Sequence, residues 1–148
     1  MKQGLLLFAH GARDPNWAVP FDDVARRVRL AQPTWPVELA FLEFMSPDLC
    51  SAGTRLAQVG CEQVDVVPLF LGAGGHVRKD LPLLLDELRA LFPATQWQLR
   101  RAIGEIDSVI EAMAQAATAS VQTAADTARL GAEPAGQEPG RDHIANTP

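Results

Sequence analysis

Four short apolar runs, each followed by apolar residues at helical spacing, constrain this chain more than any other feature. The runs are Gly4 to Ala9, Val37 to Leu42, Val64 to Leu71 and Trp97 to Arg100. After the first come Phe21, Val24, Ala25 and Val28; after the second, Leu49, Ala52, Leu56 and Val59. The third is followed by Leu81, Leu84, Leu85, Leu88 and Leu91, and the fourth by Ile106, Val109, Ile110, Met113 and Ala117. Strand-then-helix alternation argues for a parallel sheet with helices on both faces, joined by right-handed crossovers. The expected architecture is a single three-layer α/β domain with a four-stranded parallel sheet. In such a sheet every strand delivers its following loop to one edge, so residues far apart in sequence meet there.

Local punctuation refines the pattern. Pro33 and Pro36 stop the first helix, and Pro93 follows the third. Ser46-Pro47 reads as an N-cap with proline at the first helical position. Gly60 suits the position just past a helix end. Gly53 is a weak helix former inside the second helix. Pro68 is awkward in a central strand and suggests a bulge. From Thr118 the last helix dilutes into Ala, Ser and Thr, so its end between 118 and 130 is not placed. Gly131 to Pro148, rich in Gly, Pro and charge, reads as a disordered tail.

The chain has 148 residues, 47% of them apolar, enough for one domain with a core. A net charge of −5 argues against a general nucleic-acid binder. Cys50 and Cys61 have no zinc or redox spacing and read as buried thiols in a reducing compartment. No run approaches the roughly 20 apolar residues of a membrane span, and the apolar stretch after Met1 is too short for a signal peptide. The expected location is cytoplasmic, with no membrane partner.

Chemistry concentrates at the strand ends. His10 follows the first run, Glu43 the second, and Gly72-Ala73-Gly74-Gly75-His76 the third. A glycine loop lets backbone N–H groups approach a ligand that a Cβ would push away. Neutral imidazole suits divalent Fe, Co, Ni or Zn. Taken singly, each histidine is better explained as a hydrogen-bonded structural residue than as a ligand. Two at equivalent strand ends, with a carboxylate between them in sequence, point to a site. His143, in the tail, reads as solvated. Arg13, Arg78 and Lys79 read either as solvated surface charges or, from their nearness to the same edge, as candidates to hold an anionic ligand. The leucines of the third helix are core.

HGARDPNW, the strand VELAFLE and the segment GCEQVDVVPLFLGAGGHVRKDLP resemble the small class II tetrapyrrole chelatases, the sirohydrochlorin chelatases of the CbiX/SirB group. The resemblance spans Met1 to Ala117, which sets the expected domain at 1–117. It implies insertion of Co²⁺, Fe²⁺ or Ni²⁺, with Co²⁺ foremost, into sirohydrochlorin. The metal is substrate, and no tightly bound cofactor is expected. It implies that His10 and His76 bind the metal, that His10 also accepts a proton, and that Glu43 faces the macrocycle. It further implies that Leu71, Gly72, Ala73, Gly74 and Gly75 contact substrate, and that a half-size chain works as a homodimer. Ala12 departs from the family's usual serine and removes a hydroxyl beside the first histidine.

The residues suit that chemistry independently. Metal entry displaces two pyrrole protons, so a base must stand over the ring. Two imidazoles hold a metal while leaving positions open for transfer. The macrocycle's carboxylates suit arginine at the rim and glycine N–H groups beneath. Two other readings are open to the same residues. A histidine phosphatase needs an arginine before the histidine, and Ala9 stands there. A Co²⁺ or Ni²⁺ carrier or sensor would use the same two histidines without chemistry.

Overall fold

A computed structural model describes residues 1–72 and 74–131, except the side chain of His76. Ala73, that side chain and the tail expectations for 132–148, His143 included, lie outside the described residues. The order is β1 (Gln3–Ala9), a short 3-10 turn (Pro15–Ala18), α1 (Val19–Ala31), β2 (Val37–Phe41), α2 (Leu49–Gln58), β3 (Gln63–Pro68), α3 (Gly75–Leu91), β4 (Gln96–Leu99), a second 3-10 turn (Ile103–Glu105) and α4 (Asp107–Gly131). The four strands form one parallel sheet in the order β2-β1-β3-β4.

Strand composition follows position. β1 lies inside the sheet, and Leu6, Leu7, Phe8 and Ala9 are buried in succession, as a strand covered on both faces requires. β4 is an edge and buries only Trp97. On one face α2 and α3 pack Leu49, Ala52, Leu56, Leu81, Leu85 and Leu88 against Leu6, Phe8, Val64 and Val66. On the other, α1 packs Ala25 against Leu7, Ala9, Val37 and Leu39. Gly53 has a packing role: a Cβ there would meet both Leu88 methyls at 2.7 Å, so glycine brings α2 onto α3.

Several sequence expectations need correction. The N-cap of α2 is Asp48, not Ser46; its carboxylate accepts the Ser51 amide at 2.8 Å. Pro47 precedes the cap, and its carbonyl accepts the Phe41 amide at 2.9 Å, closing the end of β2. β3 stops at Pro68, not Leu71, and its register with β1 is continuous, so there is no bulge. Alternate residues of a parallel strand address opposite neighbours. Val66 accepts the Arg100 amide and Leu69 donates to Phe8, so residue 68 faces β4, which has already ended. Proline there removes no ladder bond. α3 begins at Gly75, so position 76 lies in its first turn and not ahead of the helix. Val24, Val59 and Leu91, expected in the core, are exposed.

Gly60 does end α2. It has φ +86°, and the amides of Gly60 and Cys61 donate to Ala57 and Leu56, closing a Schellman motif. The chain divides into two compact units, Met1–Glu111 and a second from Ala112. The first holds the sheet and α1 to α3. In the second, the hydroxyls of Thr118, Ser120, Thr123 and Thr127 each donate to the carbonyl four residues earlier. None of the described residues of α4 is buried. Among the described residues no helix is long and apolar enough to cross a membrane.

Candidate active site at the carboxyl edge

β1 is the central strand of the site, with β2 on one side and β3 on the other. Glu43 and the glycine loop therefore flank His10, and the carboxylate strand is not the middle one. The contact between the two chains runs past the end of β2: Leu42 donates to Ala9 at 2.9 Å, and outside the ladder Glu43 donates to His10 at 3.0 Å. Gly11 makes this approach possible. It sits at φ +90°, and a Cβ there would lie 1.9 Å from the Glu43 carbonyl oxygen. The pair His10-Gly11 is thus one device: an imidazole at the strand end, then a turn only glycine can make under the neighbouring chain.

Beyond Glu43 the backbone tightens. Met45 donates to the Glu43 carbonyl at 2.8 Å, around Phe44 at φ 62°. An L-residue in this region costs about 1–3 kcal/mol and persists where its surroundings impose it. The result is an aromatic ring 58% exposed at the rim. The Arg13 guanidinium stands 4.9 Å from that ring's centroid, a cation–π contact. Arg13, Ala12 and Phe44 line one hollow of about 370 Å³ with Phe41 and Met45.

On the other side of His10 stands Phe70. The two rings stack with centroids 4.0 Å apart and planes 29° apart. Phe70 is 2% exposed and also tilts against Phe8 at 5.8 Å. Its carbonyl accepts the Gly104 amide at 2.9 Å. Gly104 is a close-approach glycine, since a Cβ would lie 2.1 Å from the Leu71 carbonyl oxygen. The turn after β4 thus seats the segment that carries Phe70 and Leu71.

Past that seat the loop is open. Leu71 is 70% exposed, and Gly72, Gly74 and Gly75 are exposed too. A Cβ at any of these three glycines would meet nothing within 4 Å, and none has a left-handed backbone. The fold itself does not require glycine there. Arg78, on α3, reaches Glu105 at 3.8 Å, and Arg101 reaches the same carboxylate at 4.0 Å. These three and Phe70 line a cleft of about 300 Å³. Lys79 is exposed on α3. Among the described residues no three His, Cys, Asp or Glu side chains gather as a metal cage. A two-histidine pair with open positions would fall below that number.

Sequence reasoning missed Phe44, Phe70, Gly104, Arg101 and Glu105. The apolar run of β3 carried a signal for Phe70, but only as core. Phe44 and Gly104 stand in turns whose partners are distant in sequence, and Arg101 and Glu105, though four residues apart, meet Arg78 only in the fold.

The CbiX family model matches residues 4–120. The chain belongs to the CbiX family. The CbiX-family chain is 32% identical over 91 residues to a sirohydrochlorin cobaltochelatase of Sulfurisphaera tokodaii, covering 60% of this chain and 72% of that protein. A sirohydrochlorin cobaltochelatase of Saccharolobus solfataricus is 38% identical over 84 residues, 55% of this chain and 62% of the relative. The fold superposes on the crystal structure of a putative cobalamin biosynthesis CbiX protein from Marinobacter aquaeolei VT8 with a TM-score of 0.75 at 28% identity, covering 84% of this chain and 98% of that one. The cobalt complex of the sirohydrochlorin chelatase SirB from Bacillus subtilis subspecies spizizenii shares the fold, with a TM-score of 0.68 at 23% identity over 76% of this chain. This chain covers 48% of the SirB chain.

Proposed function

We propose that this CbiX-family chain inserts a divalent metal ion into sirohydrochlorin, with Co²⁺ the first choice and Fe²⁺ and Ni²⁺ the other candidates. The observation that carries the reading is the backbone hydrogen bond from Glu43 to His10, which joins the two residues just beyond the ends of β2 and β1. Beside them lies a glycine loop whose glycines the fold does not need. In this reading His10 and His76 hold the incoming metal, and His10 and Glu43 take the two pyrrole protons it displaces. Gly72 to Gly75 offer backbone N–H groups to the macrocycle, Leu71 an apolar contact, and Arg13 and Arg78 meet its carboxylates. The metal enters as substrate, and the protein keeps no resident cofactor.

The working unit in this proposal is a homodimer, in the cytoplasm. The support is surface left open on the protomer: Val67, Leu99, Ile103 and Ile106, with Arg100 and Arg101 beside them, line a hollow of about 510 Å³. Light scattering at micromolar concentration should give twice the chain mass. An active monomer would end this part of the proposal.

The reaction is tested by following the absorbance spectrum of sirohydrochlorin with each metal, with and without protein. Faster appearance of the metallated spectrum supports the reading. Metal binding without that acceleration would replace it by a carrier or sensor. The roles are tested with two variants. His76→Ala should weaken metal affinity, with part of the rate recovered by added metal. Glu43→Gln should leave metal affinity near normal while turnover falls by about 10²–10⁴-fold, the usual scale for a lost general base. Lost metal binding in Glu43→Gln, with His76→Ala unaffected, would overturn the assignment.

A further inference from the structure

We propose that the cleft between the start of α3 and the turn after β4 is a subsite for one carboxylate arm of the macrocycle. Arg78 and Arg101 would grip the arm, and Glu105 would act as the stand-in carboxylate it displaces. The inference rests on the function proposed above and assigns Arg101, Glu105 and the cleft a part in it.

The cleft has about 300 Å³, room for an acidic arm and the edge of one pyrrole but not for a whole macrocycle. Its floor is apolar: Phe70, Val77 and Leu81 are at most 8% exposed. Its rim is charged, with Arg78 and Arg101 side chains 68% and 72% exposed. That combination suits a ligand with an apolar body and an acidic end.

The charge arrangement is unbalanced. The Glu105 carboxylate stands 3.8 Å from Arg78 and 4.0 Å from Arg101, too far for it to accept a hydrogen bond from either. One carboxylate between two guanidiniums leaves one positive charge over. Arg100, on the same rim, is already bound to Asp65 at 2.6 Å. Arg101 is pre-set, since its Nη2 donates to the Glu105 carbonyl at 2.8 Å. Phe70 belongs to both places, stacking on His10 and lining the cleft. An arm held here therefore brings its pyrrole to the ring that backs the imidazole.

The deciding measurement is equilibrium binding of metal-free sirohydrochlorin by fluorescence titration, with KM from turnover alongside. Arg101→Ala should raise Kd about tenfold, the scale of one lost charge-assisted hydrogen bond in a half-open site, and Arg101→Lys should recover part of it. Glu105→Gln should lower Kd, because the stand-in no longer competes. Succinate should compete with sirohydrochlorin in the unaltered protein and lose that effect in Arg101→Ala. An unchanged Kd in Arg101→Ala, or a raised Kd in Glu105→Gln, would overturn the subsite while the chelatase reading stood. Succinate that inhibits without competing would show a separate site for free carboxylates and overturn it equally. An unaltered protein that neither binds nor metallates sirohydrochlorin would refute the functional reading itself.

Discussion

The imidazole of His10 rests on the ring of Phe70, with centroids 4.0 Å apart and a 29° angle between planes. Phe70 is buried, and the Gly104 amide holds its carbonyl. The plane of the imidazole is therefore set by a residue from the neighbouring strand end, which is anchored in turn by the segment after β4. A metal ligand loses rotamer freedom when it binds, and a ring already held in place loses less.

Replacing Phe70 by leucine should remove that support. Stability should fall by about 1–2 kcal/mol, in the ordinary range for a core change. Cobalt affinity should fall as well, by about tenfold if one strong interaction's worth of positioning is lost. Phe70→Tyr keeps the ring and should restore the affinity. Calorimetric Co²⁺ titration of the two variants checks this, and equal affinities in Phe70→Leu and the unaltered protein would contradict it.

The glycines should separate into two classes. Gly11→Ala and Gly104→Ala place a Cβ 1.9 Å and 2.1 Å from backbone oxygens, and each should cost about 2 kcal/mol or more. Gly74→Ala and Gly75→Ala meet nothing of the chain, so their stability should stay within about 0.5 kcal/mol. Their sirohydrochlorin binding should nonetheless weaken. Urea denaturation beside ligand titration reads both quantities. Instability of Gly74→Ala equal to that of Gly104→Ala would assign the loop to folding instead.

Asp48 ties stability to pH. The Ser51 amide and hydroxyl hold its carboxyl below the ordinary value, with the amide bond the larger cause. A lowered folded value favours the ionised form. Its contribution is thus present above the unfolded carboxylate pKa of about 3.9 and lost as pH falls through the lower folded value. Asp48→Ala should cost about 1 kcal/mol at pH 7, and its difference from the unaltered protein should shrink in acid. Asp48→Asn should keep most of the cap at both pH values. Denaturation at pH 7 and pH 3 decides it.

Cys61 should behave as core. Burial pushes its thiol up, partly opposed by Lys2. Its neutral form is favoured in the folded state, so that stability is intact below the ordinary thiol value of about 8.5 and is lost as pH rises through the raised one. A disulfide reagent at neutral pH should label Cys61 only after unfolding, while half-buried Cys50 reacts sooner. Fast labelling of Cys61 in the native protein would contradict this placement.

From sequence alone, this protein's four strand–helix units were legible, and with them the edge where His10, Glu43 and the glycine loop stand. Burial leaves a periodic mark on the strands and the helices that cover them, and a parallel sheet puts every following loop on one side. Gly60 could be placed as a helix end because its backbone conformation leaves a local signal. Ser46-Pro47 carried the same kind of signal and misled, because Pro47 is engaged by Phe41 and Asp48 caps instead. Strand order was not legible, so neither was the central place of His10 between Glu43 and Phe70. Nor could sequence show that Gly11 makes room for Glu43, that Gly104 seats Leu71, or that Arg78 and Arg101 share Glu105. Each joins parts of the chain brought together when the sheet assembles. Spacing along the chain reports the face a residue turns to the core, while its partner across a strand end is chosen only when the loops between them close.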